Sequence, residues 1–253
     1  MASIRLNKVA VSFPIYDASS RSLKKRLIRT GTGGRIQSQP GAGKVSVVKA
    51  LDDVSLSFQD GNYVGLIGHN GSGKTTLLRV LAGIYEPSAG TVEIEGHAVP
   101  LFDVALGMDQ ESTGYENIVM RGLFLGLTRQ QIKQRVDDIV EFTELGNFLN
   151  LPIRTYSAGM RMRLAFAVST SIVPDVLLLD EGIGTGDAAF LKKANQRLDA
   201  FTGKAAIIVL ASHSEPLVRK ICRTCVLMDH GKVLRVGETE AILEYYKNRS
   251  GEA

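Results

Sequence analysis

The sequence lacks long apolar runs. No stretch of its 253 residues approaches the ~18–20 consecutive apolar residues that a membrane-spanning helix needs. The first residues, Met1 to Leu6, also lack the apolar core of a signal peptide. We therefore predict a cytosolic chain, which would act on any membrane from the water side. Hydrophobic residues make up 44% of the sequence, enough for the core of one large domain, or of one domain with a subdomain.

Acidic residues are almost absent from the first 49 positions. This segment holds ten Lys or Arg residues and one acid, Asp17, so its net charge is +9. The rest of the chain carries −5, and the whole chain therefore reaches +4. A basic segment on a mildly acidic body indicates a local anionic partner, either lipid headgroups or nucleic acid. A solvated charged face explains the same pattern equally well.

Cysteine is scarce. The two cysteines, Cys222 and Cys225, form one C-x-x-C pair. A structural zinc site needs about four ligands, and the sequence has no second cysteine pair to supply them. A redox role stays open. The interpretation we favour is a pair of buried thiols that pack as small apolar side chains.

Against these absences, one stretch stands out. The residues from Gly68 to Thr75 match G-x-x-x-x-G-K-[ST], the phosphate-binding loop of P-loop NTPases. An apolar run at 63–67 precedes the loop, and a helical pattern at 76–82 follows it. A strand, a glycine-rich turn and a helix N-terminus together direct backbone N–H groups at one point, where a phosphate is favoured. The predicted nucleotide-binding residues of this stretch are Gly68, His69, Asn70, Gly71, Ser72, Gly73, Lys74, Thr75 and Thr76.

Two side chains of this loop have specific expected roles. Lys74 would reach the β- and γ-phosphates of ATP, and the Thr75 hydroxyl would ligate Mg²⁺. A second stretch, 41–44, imitates the motif with the letters G-A-G-K. We reject it because it lacks the upstream glycine, follows no strand and has Val45 where Ser or Thr is required.

The remaining pattern alternates between strands and helices. Alternation or short apolar runs predict strands at 4–13 (interrupted by Pro14), 48–58, 63–67, 91–96, 176–179, 205–210, 225–228 and 232–236. Helical spacing predicts helices at 19–29 (short, basic and interfacial), 76–82, 115–125, 128–145 and 239–247, with Thr128 as a helix cap. Apolar strands between helices indicate an α/β core, and the helical stretch from about 104 to 172 indicates an insertion.

Two acids follow the most apolar of these strands. Asp180 ends the run Val176 to Leu179, where a carboxylate can reach Mg²⁺ opposite Thr75. Glu181 comes next and can polarise a water molecule that attacks the γ-phosphate. An ordinary strand terminus would show the same two letters, but the phosphate loop upstream favours the catalytic interpretation.

A family resemblance rests on motifs in the second half of the chain. The stretch 156–165 resembles the signature motif of ABC ATPases, usually L-S-G-G-Q. Ser157 and Gly159 match that pattern, whereas Ala158 and Met160 depart from it. Ser157 lies 23 residues before Asp180, as in the family. Further motifs agree with it: Asp187 matches the D-loop aspartate, His213 the switch histidine, and Glu116-Asn117 the pair that opens the helical subdomain.

The resemblance covers about 4–247 and implies a fold. The expected fold is α/β, an ABC-type P-loop nucleotide-binding domain with a β subdomain and an inserted helical subdomain. The domain would span 1–249, with a basic insertion at 15–47, the helical subdomain at 104–172 and a tail at 250–253. Two copies would pack head to tail as a homodimer with ATP between them.

The same resemblance assigns further residues. Ser157, Ala158 and Gly159 would face the γ-phosphate of an ATP bound to the other copy, and Asp187 would lie at the same site. Glu181 and His213 would be catalytic. Met160 puts in doubt the contact that the family's glutamine makes.

Two contacts rest on weaker matches. Phe13 would stack on adenine, with Tyr16 as the alternative, because stacking needs only an aromatic face. Asp103 holds the place of the family's Q-loop glutamine and would then face Mg²⁺. Gln110 lies too close to Glu116 to replace it.

Several departures point to a subfamily. They are an acid in the Q-loop, a Y-S-x-G-M-x-x-R-L signature, the G-D-A-A-F stretch at 186–190 and a basic insertion before the second strand. Together they resemble the ATP-binding subunits of bacterial exporters of O-antigen, capsule or teichoic acid. The chain resembles their short form, which has no C-terminal carbohydrate-binding domain.

This resemblance implies partners and a location. It implies an integral membrane permease, a lipid-linked glycan handled through that permease, and the cytoplasmic face of the bacterial inner membrane. The 19–29 segment would contact lipid headgroups, unless it is a surface loop without contacts. The alternatives are an ABC subunit for another substrate, or a soluble ABC ATPase that acts on ribosomes or nucleic acid. We expect no nucleic-acid partner, because the double cassette or long coiled coil usual in that class is absent.

Overall fold

The computed structural model describes residues 1–16, 36–38, 45–103, 106–180 and 188–250. The chain forms two compact units, the first from Met1–Glu95 with Ile207–Ala253 and the second from Gly96–Ala206. The basic segment 19–29 and the rejected motif at 41–44 lie outside the described residues. The predicted domain and subdomain boundaries stay predictions.

The described chain contains the following elements, of which those at 36–38, 98–100, 188–202 and 215–221 are not predicted from the sequence. They are β1 (Ser3–Tyr16), β2 (Ile36–Ser38), β3 (Val45–Gln59), β4 (Tyr63–Ile67), α1 (Lys74–Leu81), β5 (Ala89–Glu95), β6 (Ala98–Pro100), α2 (Gly114–Phe124), α3 (Arg129–Lys133), α4 (Val136–Thr143), α5 (Ala158–Ser169), β7 (Val176–Asp180), α6 (Ala188–Thr202), β8 (Ile207–Ala211), α7 (Glu215–Ile221), β9 (Thr224–Asp229), β10 (Lys232–Glu238) and α8 (Thr239–Ser250). Two 3₁₀ turns, Gly146–Asn150 and Ile153–Thr155, precede α5.

The first unit contains an antiparallel sheet in the order β2-β3-β1-β5. The predicted interruption of β1 at Pro14 is wrong, since the strand continues to Tyr16. The pairing explains why proline is tolerated. β1 pairs with β5 only as far as Ala10, so Pro14 pairs with Val47 of β3 alone, and its missing N–H leaves no ladder bond unmade on the other side.

The first unit also contains the strand order β10-β9-β4-β8. β4 is parallel to both β8 and β9, and Ile67 pairs with Leu227. Residues Val64 to Ile67 are buried, as expected of a parallel strand covered on both faces. The carboxyl ends of these parallel strands share one edge, and the phosphate loop leaves β4 there.

The second unit contains the parallel pair β6 and β7 and the helices α2 to α6. The prediction of one helix over 128–145 is wrong, because α3 ends at Lys133 and α4 begins at Val136. Arg135 sits at the break. Its side chain donates to the carbonyl of Gln131 in α3 at 2.9 Å and to that of Ser171 beyond α5 at 3.0 Å. No Pro or Gly marks this break in the sequence.

Candidate functional site

The phosphate loop has a backbone that glycine alone adopts easily. Gly68 has a φ of 147°, and a Cβ there would lie 2.2 Å from the Met228 carbonyl oxygen of β9. Gly73 has a φ of 105° and caps α1 without offering a side chain. These glycines let the loop turn sharply between β4 and α1 and pack closely on its neighbours.

Three features of this loop fit a phosphate group. The first turn of α1 contains no acid and its N-cap makes no side-chain hydrogen bond, so no negative side chain of that turn opposes an anion at this helix N-terminus. Lys74 is buried, and its Nζ donates to the carbonyls of Gly68 at 2.6 Å and His69 at 3.1 Å. Among the described residues, Ser72 has the one buried side-chain polar atom without a hydrogen-bond partner, its Oγ.

The loop is tied to the turn between β9 and β10. The Gly231 N–H donates to the Ser72 carbonyl at 3.0 Å, and the Gly231 carbonyl accepts from the Asp52 N–H at 2.8 Å. A Cβ at Gly231 would lie 2.7 Å from the Ala50 carbonyl oxygen. The loop therefore has a defined backbone support from β3 and from the hairpin turn.

A polar cluster beside the loop was not predicted from the sequence. His69 Nε2 lies 2.8 Å from Asp229 Oδ1, and His230 Nδ1 lies 2.5 Å from the same oxygen. Arg249 of α8 donates to Asp229 Oδ2 at 2.8 Å. Burial alone would raise the pKa of Asp229, but the hydrogen bonds that its carboxylate shares with His69 and His230 and the charges of His230 and Arg249 outweigh it, and the pKa is lowered. In the sequence, Asp229 and His230 are only part of the short stretch between the predicted strands at 225–228 and 232–236.

One predicted metal-binding acid lies at the end of β7. Asp180 is its last residue, half-buried at the end of a fully buried run. Glu181 and Asp187 lie outside the described residues. Thr75 is exposed at the second position of α1, and Thr76 follows it half-buried. Asp180 thus ends its strand as predicted, and Thr75 and Thr76 lie in the first turn of α1, while their roles stay predictions.

The signature stretch forms the start of α5. Ser157 is its N-cap, and its Oγ accepts from the Met160 N–H at 3.2 Å. Ala158 is exposed. Gly159 faces open space, since a Cβ there would meet only Ser157 Oγ at 3.8 Å. A cavity of about 300 Å³ adjoins this stretch and is lined by Glu144, Leu145, Phe148, Ser157, Gly159, Met160 and Arg163.

Phe13 and His213 both lie at the surface of the first unit. Phe13 is 37% exposed and packs edge-on against Tyr85, with ring centroids 5.3 Å apart. The side chain of the alternative, Tyr16, lies outside the described part of the chain. His213 is exposed just beyond β8. Both rings are open to a ligand, and their roles stay predictions.

Asp103 follows β6 in a left-handed conformation, with a φ of 56°. It is exposed, and its charge acts on the buried Arg121 of α2. Burial lowers the pKa of Arg121 to about 10, against the opposing effect of Asp103. Arg121 donates to Ser169 Oγ and to the Leu106 carbonyl, so it connects the loop after Asp103 to α5. No pattern in the sequence indicates that this arginine is buried.

The cysteines are buried free thiols, which confirms the interpretation favoured from the sequence. Burial, and secondarily the neighbouring Cys225, raises the pKa of Cys222 to about 12. Burial also raises the pKa of Cys225. Both side chains pack near Gly65 of β4. At neutral pH they are protonated apolar side chains of the sheet.

A glycine-rich loop between a buried parallel strand and an uncapped helix defines a P-loop nucleotide-binding protein. Comparison with known families gives the particular class: residues 51–184 match the model of the ABC transporter family. This range includes the phosphate loop, the signature stretch and Asp180. The chain belongs to the ABC transporter family, and it binds ATP as that family does.

Two similar proteins are both described as ATP-binding proteins of O-antigen export systems. The O-antigen export system ATP-binding protein RfbE of Yersinia enterocolitica is 48% identical over 233 residues, which are 92% of this chain and 97% of that protein. The corresponding protein RfbB of Myxococcus xanthus is 40% identical over 89% of this chain, which spans 51% of it. The predicted resemblance to ATP-binding subunits of polysaccharide exporters is confirmed.

Solved structures agree on the fold. One of them is described as the ATP binding subunit of an ABC transporter and is 18% identical to this chain. The match covers 96% of this chain and 93% of the chain in that structure, with a TM-score of 0.67. This confirms the predicted ABC-type α/β fold. Within the described ranges, no helix combines the length and apolar character needed to cross a membrane.

Proposed function

We propose that this chain is the ATP-hydrolysing subunit of a bacterial ABC exporter, and that it powers transport of a lipid-linked, O-antigen-like polysaccharide across the inner membrane. Two observations support this proposal. The helix N-terminus behind the glycine-rich loop has no side-chain cap. The chain is also 48% identical to an O-antigen export ATP-binding protein, over 97% of that protein's length. The subunit would lie at the cytoplasmic face of the membrane and act with an integral permease.

The phosphate loop holds ATP by backbone N–H groups at the start of α1. Lys74 at present donates to the Gly68 and His69 carbonyls, and it transfers these hydrogen bonds to the β- and γ-phosphates when ATP enters. The buried Ser72 hydroxyl lies on the same loop. Phe13 offers an exposed ring face on which adenine stacks.

Hydrolysis depends on residues at the start of α1 and at or beyond the ends of β6, β7 and β8. The Thr75 hydroxyl and the carboxylates of Asp180 and Asp103 would hold Mg²⁺, which neutralises phosphate charge when it is bound. Glu181 accepts a proton from the attacking water, and a positioned general base of this kind accelerates such a step by about 10²–10⁴-fold. His213 contacts the γ-phosphate or holds Glu181 in place.

The signature stretch serves a second copy of the chain. Ser157 caps α5, and Gly159 leaves open space over the helix N-terminus, so an anion can approach its N–H groups closely. In a head-to-tail homodimer this anion is the γ-phosphate of ATP on the partner, and Asp187 belongs to the same site. Binding closes the dimer, hydrolysis reopens it, and the helical segment 104–172 passes the motion to the permease.

The proposal is tested by replacing the loop lysine in the producing bacterium. Lys74→Ala should abolish ATP binding in the purified chain and remove the polysaccharide from the cell surface. Lys133→Ala, an exposed lysine of α3, is the matched control and should change neither. Loss of ATP binding with a normal surface polysaccharide would leave the ATPase assignment standing and overturn the substrate.

Co-purification separates the alternatives. A membrane permease recovered with the intact chain supports export, whereas recovery of RNA or DNA would favour a soluble ABC ATPase. A permease from an operon without glycosyltransferases would favour another transported substrate.

The basic segment has its own test. We propose that residues 19–29 bind anionic lipid headgroups. The full chain should float with phosphatidylglycerol vesicles more than with phosphatidylcholine vesicles. Neutralising Arg21, Lys24, Lys25 and Arg26 to Gln should remove that difference; if flotation and glycan export stay unchanged, the headgroup contact is wrong.

A further inference from the structure

Three side chains with metal-ligand chemistry meet beside the phosphate loop. His69 belongs to the loop, and Asp229 and His230 belong to the β9–β10 turn. One ligand atom from each lies within 4.8 Å of the other two. The side chains of His69, Asp229 and His230 are 40%, 19% and 53% exposed, so an ion can reach them from solvent.

The hydrogen bonds of His69 leave a place for a cation. Its Nδ1 lies 2.7 Å from the carbonyl oxygen of Asn70, which can only accept, so Nδ1 carries a proton. In a neutral imidazole the other nitrogen then has a lone pair and no proton. That nitrogen, Nε2, lies 2.8 Å from Asp229 Oδ1, which is also an acceptor. Two acceptors this close need a proton or a metal ion between them.

We propose that His69, Asp229 and His230 form a binding site for a divalent transition-metal ion of the Zn²⁺ class. Two imidazole nitrogens and one carboxylate oxygen are ligands that Zn²⁺ accepts, and three protein ligands leave a fourth position for water. Mg²⁺ prefers oxygen ligands. The site is therefore chemically distinct from a Mg²⁺ site at Thr75.

The geometry needs a small adjustment to take the ion. Bonds of about 2.0–2.2 Å to one tetrahedral ion separate ligand atoms by about 3.3–3.5 Å. The present separations from Asp229 Oδ1 are 2.8 Å to His69 and 2.5 Å to His230, so these two pairs must move apart by less than about 1 Å. The ligand nitrogens of the two histidines, which lie within 4.8 Å of each other, must come to the same separation of about 3.3–3.5 Å. Arg249 already orients the carboxylate through its other oxygen, as the outer partners of metal ligands do.

The ion would join two segments that carry the nucleotide loop. His69 lies in the loop, and His230 precedes Gly231, whose N–H donates to the Ser72 carbonyl. A bond from each histidine to one ion adds a side-chain clamp to this backbone contact. Metal binding therefore stabilises the chain against unfolding, since an ion held only by the folded state adds its binding free energy.

The test is Zn²⁺ binding to the tag-free full chain without nucleotide, measured by calorimetry. The wild type should bind one Zn²⁺ at this site, give a tetrahedral Co²⁺ absorption spectrum and melt at a higher temperature with Zn²⁺. His230→Asn should weaken binding by at least about 100-fold, since losing even an outer partner costs about 10- to 100-fold. Asn tolerates the left-handed φ of 47° at this position, so the turn is kept.

Two controls make the result decisive. His97→Asn changes a histidine of the other unit and should bind Zn²⁺ like the wild type. If His230→Asn unfolds, His230→Gln is measured instead. Equal Zn²⁺ affinity in the wild type and the His230 variant, or no binding by the wild type, would overturn the site and leave a proton-bridged cluster.

Discussion

At the scale of single residues, the packing around Gly159 bears on the contact that we predict for it. Nothing in the described chain lies close enough to require glycine there, because a Cβ would have only the Ser157 hydroxyl within 4 Å. Glycine also weakens a helix relative to alanine. No contact of the described residues requires glycine at this position, and the proposed contact of Gly159 with a second copy of the chain is the one that we test.

We expect Gly159→Ala to separate stability from activity. The free energy of unfolding should stay the same or rise by up to about 1 kcal/mol, whereas ATP turnover should fall at least about tenfold because a methyl group obstructs the approaching γ-phosphate. Urea unfolding and an ATPase assay measure the two effects. The reciprocal control, Ala200→Gly at an exposed alanine of α6, should lose some stability and keep turnover. Full turnover by Gly159→Ala would remove this residue from the site.

Because the Cys222 thiol is buried, we predict that the free energy of unfolding falls at alkaline pH. Its pKa is raised to about 12 in the folded chain by burial first and by Cys225 second. In the unfolded chain the thiol has a pKa of about 8.5. Below that pH the thiol is protonated in both the folded and the unfolded chain, and the full stability is present. Above it the unfolded thiol ionises first, so the free energy of unfolding falls by about 1.4 kcal/mol per pH unit until the folded pKa is reached.

Cys222→Ala isolates this effect. The difference in unfolding free energy between the wild type and Cys222→Ala should shrink between about pH 8.5 and 10, because the variant lacks the ionising group. Guanidinium unfolding at a series of pH values gives that difference. A difference that stays constant with pH would contradict the buried, protonated thiol.

At the scale of elements, local signals set the starts of several helices. Thr113 with Glu116, and Thr128 with Gln131, form capping boxes at α2 and α3. The predicted cap at Thr128 is confirmed. Asn117, next to Glu116, makes contacts that the local sequence does not indicate. It is fully buried and donates to the carbonyls of Asp109, Ser112 and Thr113.

Asn117→Ala should therefore be strongly destabilising. It leaves the Asp109 N–H without its side-chain acceptor and three carbonyls without this donor. The Ser112 and Thr113 carbonyls keep the N–H groups of Ile153 and Asn117 as backbone donors, so the Asp109 N–H and carbonyl lose the most. An unsatisfied buried group costs about 1–3 kcal/mol, and we expect a loss of about 1–3 kcal/mol in urea unfolding. Asn147→Ala, at an exposed asparagine, is the matched control and should stay within about 0.5 kcal/mol of the wild type. Similar values for the two variants would show that the loop does not depend on Asn117.

At the scale of the whole molecule, the proposed mechanism requires two chains for each ATP site, and each chain supplies half of the site. The phosphate loop lies in the first unit and the signature stretch in the second. Under the head-to-tail arrangement, ATP bound to one copy is completed by the signature of another. Assembly and hydrolysis should then be separable.

Glu181→Gln should separate them. The variant should bind ATP with the affinity of the wild type, lose turnover by at least about 100-fold and accumulate as an ATP-bound dimer. Nucleotide titration, phosphate release and size-exclusion chromatography with ATP and Mg²⁺ measure these three effects. Glu141→Gln, at an exposed glutamate of α4, should behave like the wild type. Retained hydrolysis would remove Glu181 from its catalytic role, and a monomer with ATP would contradict the shared site.

The sequence by itself determined the features that contiguous residues build. The stretch from Gly68 to Thr75 predicts its loop because a strand end, glycines and a helix start are local. The α/β class followed from apolar periodicity, and the family followed from ordered motifs.

Tertiary structure alone decided the contacts between distant residues. His69 and Asp229 lie 160 residues apart, and they meet because β4 and β9 are parallel with Ile67 opposite Leu227, so both chains leave the sheet at one edge. Likewise Arg135 interrupts a helical pattern because it reaches Ser171. Spacing along a chain does not reveal which strands are neighbours or in what register. These contacts therefore depend on long-range pairing, and they are the ones that the sequence left undetermined.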